Sequence, residues 1–330
     1  MYVLNKFSDH KTNASFYIDG VLKGDISILS RAITIIESTN SEHHALAAEI
    51  IEGIISHSGR SFRLGITGVP GVGKSTFIES FGKELLEHKH KIAVLAIDPS
   101  SSKSKGSILG DKTRMEFLSA QPNVFIRPTP SSGSLGGVAR ATYETILLCE
   151  AAGFDFILIE TVGVGQSEIA VSKMTDFFLL LMLAGAGDEL QGIKRGIMEM
   201  ADSIVITKAD GDNVQKAKIA KAEYANAIHL FPPSESGWVQ KVELCSSVNN
   251  TGIKEVYQLI DSYKNFSSTN GYFNKKRKDQ LIDILKETLN AEVVTQFYET
   301  HQITKKLSEL SKKDVLNPYQ EAYKLLLGKG

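Results

Sequence analysis

The chain has 330 residues, 37 Lys plus Arg against 38 Asp plus Glu, a formal net charge of −1, and 42% hydrophobic and 23% charged residues. This is a folded, globular composition that excludes long disordered tracts and collagen-like repeats, and its near-neutral charge removes the strongest electrostatic reason to expect nucleic acid as a partner. Cys149 and Cys245, far apart in sequence, support neither a disulfide framework nor a Cys-based zinc cluster, so two buried thiols in a reducing cytosol are expected.

The first twenty residues are polar and mixed, without the apolar stretch of a signal peptide. After Asp25, a cap, Ile26, Leu29, Ile33 and Ile36 recur at helical spacing. After Ser41, Leu46, Ile50 and Ile54 repeat the pattern until Gly59. From Phe62 the texture changes to short apolar runs that end in polar or Gly-rich turns. Strands are predicted near Phe62–Thr67, Ile92–Asp98, Val124–Arg127, Phe156–Glu160, Phe177–Leu183, Ser203–Thr207 and Val242–Cys245. Segments of helical period, such as Ser75–Glu87 and Val138–Ala152, lie between them. Near-continuous apolar strands alternating with helices predict a parallel sheet covered on both faces. The longest apolar run, Phe177 to Gly187, falls well short of the roughly 20 residues a membrane span needs, so neither a membrane helix nor a membrane partner is expected.

After about Asn270 the pattern is helical again, with Leu281, Ile284, Leu285, Leu289 and Val293 on one face. A polar stretch, Ser308–Asp314, precedes Asn317-Pro318-Tyr319 and a last short helix, Tyr319–Leu327. These terminal helices must bury their apolar faces on the α/β domain or on a second copy of the chain; the pattern alone favours neither.

Gly68-Val69-Pro70-Gly71-Val72-Gly73-Lys74-Ser75-Thr76 fits G-x-x-x-x-G-K-[ST] and sits between an apolar strand and a helix. Its glycines let backbone N–H groups turn inward around phosphate oxygens, Lys74 reaches the β- and γ-phosphates, and the Ser75 hydroxyl is placed to ligate Mg²⁺. The expected fold is therefore an α/β P-loop NTPase with a mostly parallel central sheet flanked by helices. Helical N- and C-terminal extensions give boundaries at residues 1–60, 61–268 and 269–330.

The base is chosen by Thr207-Lys208-Ala209-Asp210, just past a strand at the nucleotide end of the sheet. The Asp210 carboxylate can accept from guanine N1–H and the 2-amino group, which adenine lacks, and Lys208 lies along the base plane. The usual motif is N-K-x-D; here Thr207 replaces Asn, but the guanine donors are read by Asp, so GTP and GDP are the expected ligands. Ser246 and Ser247, after another strand, could supply a backbone contact to guanine O6.

An acidic residue at the end of a neighbouring strand should hold Mg²⁺ through water. Glu160 fills that place, and Glu160-Thr161-Val162-Gly163 is a variant of the D-x-x-G switch, with the Gly163 N–H facing the γ-phosphate. Asp98 and Asp111 are further metal candidates. No fixed catalytic base stands out; Gln166 is one candidate to orient water. Such a site predicts slow hydrolysis without a partner.

Gly68–Thr76, Ala96–Ser101, Ser107–Met115, Glu160–Glu168 and Gly187–Lys194 together resemble the MeaB/ArgK-type P-loop GTPases, and the likeness extends to the N-terminal helices and to Asn317-Pro318-Tyr319. The resemblance implies a cytoplasmic homodimer whose C-terminal helices contribute to the dimer. It also implies a chaperone that uses GTP hydrolysis to gate cofactor loading of an adenosylcobalamin-dependent acyl-CoA mutase, methylmalonyl-CoA mutase by default, and to protect or reactivate it. Gly185–Arg195 resembles the family's additional switch loop, in which Asp188 and Lys194 couple nucleotide state to the mutase. Two rivals remain at this point. One is a metallochaperone GTPase inserting nickel or zinc, for which His43-His44 and His88/His90 lack companion ligands. The other is a transport-associated kinase, for which no acceptor or base stands out. Solvated helix-end roles are expected for those histidines and a solvated helix start for Lys275-Lys276-Arg277-Lys278. Trp238 is expected to pack.

Overall fold

A computed structural model describes residues 13–38, 40–98, 115–130, 135–161, 167–185, 195–312 and 316–327. The chain divides into two compact units, Met1–Gln280 and Leu281–Gly330.

The first unit is built on seven strands: β1 (Phe62–Gly68), β2 (Ile92–Asp98), β3 (Val124–Pro130), β4 (Phe156–Thr161), β5 (Phe177–Met182), β6 (Ser203–Ile206) and β7 (Lys241–Leu244). All pair in parallel, in the order β3-β2-β4-β1-β5-β6-β7. Every residue of β1, β4, β5 and β6 is buried, as a parallel sheet with both faces covered requires. Pro128 and Pro130 lie in edge strand β3, where a missing N–H is tolerated. The core forms where α4 (Lys74–Glu87) and Ile253–Thr269, also a helix, cover one face: Phe77, Phe81, Ile260 and Tyr263 meet Phe62, Leu64, Phe156 and Phe177.

Three N-terminal helices, α1 (Ala14–Leu22), α2 (Ile26–Ile36) and α3 (Ser41–Ile54), pack on one another and on the helix Leu135–Ala151. Asp25 caps α2 as expected, its carboxylate accepting from the N–H groups of Ser27 and Ile28. The helix α1, capped by Asn13, was not among the sequence expectations.

At the amino ends of the strands, opposite the phosphate loop, lies a buried charge cluster. Arg63 at the start of β1 donates to Glu150 through Nε and Nη2 at 2.9 and 3.0 Å. Glu150 also accepts from the Ser61 hydroxyl and the Gly59 N–H, both at 2.6 Å. Burial raises the Glu150 carboxyl, but Arg63, the Ser61 hydroxyl and Arg277 outweigh it and leave it below its ordinary value. Arg277 donates to Asp176 (Nη2–Oδ2 2.7 Å) and to the Ser61 carbonyl (2.8 Å), while Lys276 donates to the Asp176 carbonyl at 2.9 Å. The expectation of a solvated basic run is thus corrected: Lys276 and Arg277 expose only 19% and 15% of their side chains, because buried carboxylates draw them in, while Lys275 stays in solvent.

The second unit holds the remainder of the helix Tyr272–Thr300, then Ile303–Leu310 and Pro318–Leu326, the last capped by Asn317 with Pro at its start. Leu281, Leu285, Leu289 and Val293 are each at least half exposed, and Tyr319 and Tyr323 more so.

Candidate functional site

The carboxyl end of β1 leads directly into the loop Gly68–Gly73 and then α4. A side chain at Gly68 would place Cβ 2.5 Å from the Leu181 carbonyl, so only glycine lets β1 leave the sheet there. Gly73 stands at the N-cap of α4 with φ +95° and brings no capping side chain. The first-turn N–H groups of α4 thus keep the character of an anion site. Lys74, 8% exposed, folds back onto the loop, its ammonium donating to the Gly68 carbonyl at 2.7 Å and the Val69 carbonyl at 3.3 Å. Burial pushes its pKa down, against the opposing pull of Glu160 and Glu168. An ammonium has three donors, so with these two carbonyls as its hydrogen-bond acceptors among the described residues a third donor suits a phosphate oxygen.

Glu160 lies on β4 in register with Ile66 of β1. One residue on, the Thr161 hydroxyl donates to the Thr67 hydroxyl at 2.9 Å, pinning the carboxyl ends of the two strands together. That register brings the Glu160 carboxylate 3.4 Å from the Ser75 hydroxyl. Two hard oxygen donors at the mouth of an anion cradle fit Mg²⁺. Asp98 is the last residue of β2, whose Ile97 pairs with Thr161, so the backbone brings it to the same end of the sheet. Its side chain, and Asp111, Gly163, Gln166, Asp188 and Lys194, lie outside the described residues. Glu168 is 2% exposed, and its charge is among those that oppose the effect of burial on Lys74. In the sequence it is marked only as the last residue of Glu160–Glu168.

The base half is assembled from the ends of β6 and β7. Thr207 is buried; its N–H donates to the Met182 carbonyl at 2.9 Å and its hydroxyl to the Val72 carbonyl at 2.7 Å. Lys208 has a positive φ of 55°, with its carbonyl held by the Asn213 amide at 2.7 Å and its ammonium on the Gly71 carbonyl at 2.8 Å. The Ala209 N–H donates to the Cys245 carbonyl at 3.0 Å. The Ser246 hydroxyl donates to Asp210 Oδ2 and accepts from the Asn249 N–H, so Ser246 fixes the carboxylate that would read the base. The Ser247 carbonyl accepts from the Ser80 hydroxyl at 3.0 Å, joining this loop to α4. The structure therefore brings together Gly68–Thr76, Glu160, Thr207, Lys208, Asp210, Ser246 and Ser247 at the carboxyl ends of the strands.

Both cysteines are free and buried, and burial beside Asp210 pushes the Cys245 thiol up to about 12. Trp238 packs against Tyr263 and Phe266, as expected. The two histidines near the end of α4 are more engaged than expected: His88 stacks on Tyr257 at 4.1 Å and His90 bonds Asp155 at 2.9 Å. Among the described residues no group of three or more His, Cys, Asp or Glu is placed to hold a metal ion, and no helix is long and apolar enough to cross a membrane.

Residues 29–302 match the family model described as methylmalonyl-CoA mutase-associated GTPase MeaB. The chain belongs to this family. It is 48% identical over 290 residues to a "Probable GTPase" of Mycobacterium tuberculosis, covering 88% of this chain and 86% of that one. It is 44% identical over 308 residues to the mouse (Mus musculus) protein named "Methylmalonic aciduria type A homolog, mitochondrial", covering 90% and 74%. Its fold follows a crystal structure titled "LAO/AO transport system kinase" with TM-score 0.74 and 35% identity, over 94% of this chain and 96% of that one. The MeaB-family chain is thus a P-loop nucleotide-binding protein and a GTP hydrolase.

Proposed function

We propose that this MeaB-family GTPase is a Mg²⁺-dependent chaperone of an adenosylcobalamin-dependent acyl-CoA mutase, by default methylmalonyl-CoA mutase. It would gate cofactor loading and protect or reactivate the mutase. The observation that carries this reading is the family match across residues 29–302, which contains both half-sites. In it, the loop N–H groups from Gly68 to Thr76 and the Lys74 ammonium hold the phosphates, and Asp210, oriented by Ser246, reads guanine. Mg²⁺ would be held by Ser75 with Glu160, Asp98 and Asp111, and when bound it supplies charge stabilisation at the β- and γ-phosphate oxygens. Thr67 and Thr161 keep Glu160 in place. Gly163 senses the γ-phosphate, and Asp188 and Lys194 carry nucleotide state to the mutase.

Residues 1–60 form a helical extension, 61–268 the GTPase domain and 269–330 the dimerisation segment. The exposed Leu281, Leu285, Leu289 and Val293 support the last assignment, because a solvent-facing apolar stripe on a long helix suits a second copy. The proposed location is cytoplasmic. The test is adenosylcobalamin occupancy of a purified apo-mutase, followed by absorbance, with this protein and GTP, GDP or a non-hydrolysable analogue. Occupancy that depends on the nucleotide state supports the proposal; occupancy indifferent to the nucleotide, or to the presence of this chain, counts against it.

A further inference from the structure

We infer that the cavity between the loop 229–240 and the start of the helix Tyr272–Thr300 is a docking pocket for a partner polypeptide, which inserts a lysine or arginine between its aromatic wall and its carboxylates. The cavity measures about 470 Å³, within the roughly 300–1,000 Å³ of ligand pockets. It opens at the amino ends of β6 and β7, where Asp202 and Gln240 line it. The nucleotide residues lie at the carboxyl ends, so this pocket is separate from their site. All of its lining belongs to the first unit.

A long link builds the pocket. Residues 229–240 join a helix to β7, a connection usually made in about 2–6 residues. Its own side chains fix it. The Ser234 hydroxyl donates to the Trp238 carbonyl at 2.7 Å, the Trp238 N–H to the Ser236 hydroxyl at 3.1 Å, and the Asn270 amide to the Ser236 carbonyl at 2.9 Å. The indole N–H of Trp238 donates to the Asp202 carbonyl at 3.1 Å, which ties the ring to the turn before β6. A wall held in this way is preformed, and a ligand spends little free energy ordering it.

The walls are apolar and aromatic: Met200, Pro232, Pro233, Trp238 and Tyr272. Three carboxylates, Glu199, Asp202 and Glu235, line the same space. The lysines around it are already engaged. Lys276 donates to the Asp176 carbonyl and stands 3.7 Å from Asp202, Lys275 meets Glu235 and Asp279, and Lys241 lies over the Trp238 ring. Glu199 is exposed, and its carboxylate has no ion pair or hydrogen bond among the described residues. Asp202 accepts from the Phe178 N–H at 2.8 Å, and burial raises its pKa despite Lys276, so its carboxylate has capacity for a further cation. Beside the Trp238 ring the Tyr263 hydroxyl is buried with no hydrogen-bond partner among the described residues, and it feels the charges of Asp202 and Tyr272. It leaves an open acceptor at the base of the pocket. A long basic side chain suits both halves: its methylene stem packs on the tryptophan and prolines while its charged head reaches the carboxylates. Leu230 and Val239, both largely exposed, flank the lining, and an apolar rim of this kind fits a protein surface better than a free ion.

Trp238 is the only tryptophan in the chain, so its fluorescence reports occupancy of the pocket directly. The experiment titrates the full chain with acetyl-leucyl-lysinamide and acetyl-leucyl-argininamide, with acetyl-leucyl-glutaminamide as the neutral control and n-butylamine as a free cation. The pocket predicts a saturable change with the two basic dipeptides and binding at least about ten-fold weaker for the neutral one. Glu199→Gln should weaken the basic dipeptides about three-fold, and Glu199→Gln with Asp202→Asn about ten-fold. GDP binding by Glu199→Gln should match the parent. The absence of a saturable change, equal affinity for the basic and neutral dipeptides, or parent-like binding by the double variant overturns the inference. Binding of n-butylamine as tight as that of the dipeptides makes this a small-amine site and overturns the docking reading. Should Asp202→Asn fail to fold, Glu199→Lys places a cation at the exposed mouth instead, and unchanged affinity for the basic dipeptides there overturns the inference too.

Discussion

Glu150→Ala tests the claim that the charge cluster at the amino ends of the strands, remote from the phosphate loop, holds the first unit together without taking part in nucleotide binding. The Glu150 carboxylate is fully buried against an Arg63 guanidinium that is 1% exposed. Its removal deletes two hydrogen bonds from Arg63 and one each from Ser61 and Gly59. Arg63 would be left as a buried cation, with Asp176 as the remaining carboxylate acting on it. Breaking one side of a buried pair costs about 3–5 kcal/mol, and the residual attraction of Asp176 puts this case near the lower end, about 3–4 kcal/mol. For a unit of this size that is a fall in melting temperature of about 6–15 °C. The double change Arg63→Met with Glu150→Leu should lose much less than the two single changes together, because it removes both desolvation costs. Differential scanning calorimetry and denaturant melts give the shifts, and GDP binding well below the melting temperature should be unchanged. A single-variant shift under about 2 °C, or additive single and double changes, would refute the reasoning.

The same carboxyl has a pH signature: because it is held below its ordinary value of 4.5, its contribution to stability is present above that pH and is lost as the pH falls through the folded-state value. Melting temperature against pH should therefore fall more steeply below about pH 4.5 in the parent than in Glu150→Ala, and parallel curves would count against it. Asp210→Asn should lower GTP affinity by about 100-fold or more and improve binding of xanthosine triphosphate, whose 2-oxo group accepts the new amide N–H; competition binding reads both, and unchanged base preference removes Asp210 from the base site. Lys194→Ala should leave GTP binding nearly intact but blunt mutase-stimulated hydrolysis, and equal stimulation in variant and parent contradicts the assigned role. Leu285→Glu with Leu289→Glu should convert a dimer to a monomer in sedimentation velocity; an unchanged oligomeric state would exclude this helical stripe as the interface.

The strands were legible because each is an apolar run bounded by a turn, and burial on both faces leaves that pattern unmixed: Phe156–Thr161 and Phe177–Met182 are buried at every position. The phosphate loop was legible because its glycines and Lys74 are consecutive. The helix α1 was not, since Gly20 and the polar Asp19 interrupt a short stretch that becomes helical by packing on its neighbours. The Arg63–Glu150–Asp176–Arg277 cluster was invisible for a different reason. The pairs Arg63–Glu150 and Asp176–Arg277 span 87 and 101 positions, and each residue looks like an ordinary surface charge until the topology brings them to the amino ends of the strands. The same holds in the base half, where Ser246 meets Asp210 across 36 positions and Thr207 meets Val72 across 135. The motif named the residues, but only the fold supplied the side-chain ties between them.

The most direct test of the account is phosphate release from Mg²⁺-GTP by this chain, alone and with a purified adenosylcobalamin-dependent methylmalonyl-CoA mutase. The account predicts slow turnover alone and clear stimulation by the mutase, a site completed by its partner. Turnover that the mutase leaves unchanged would contradict it.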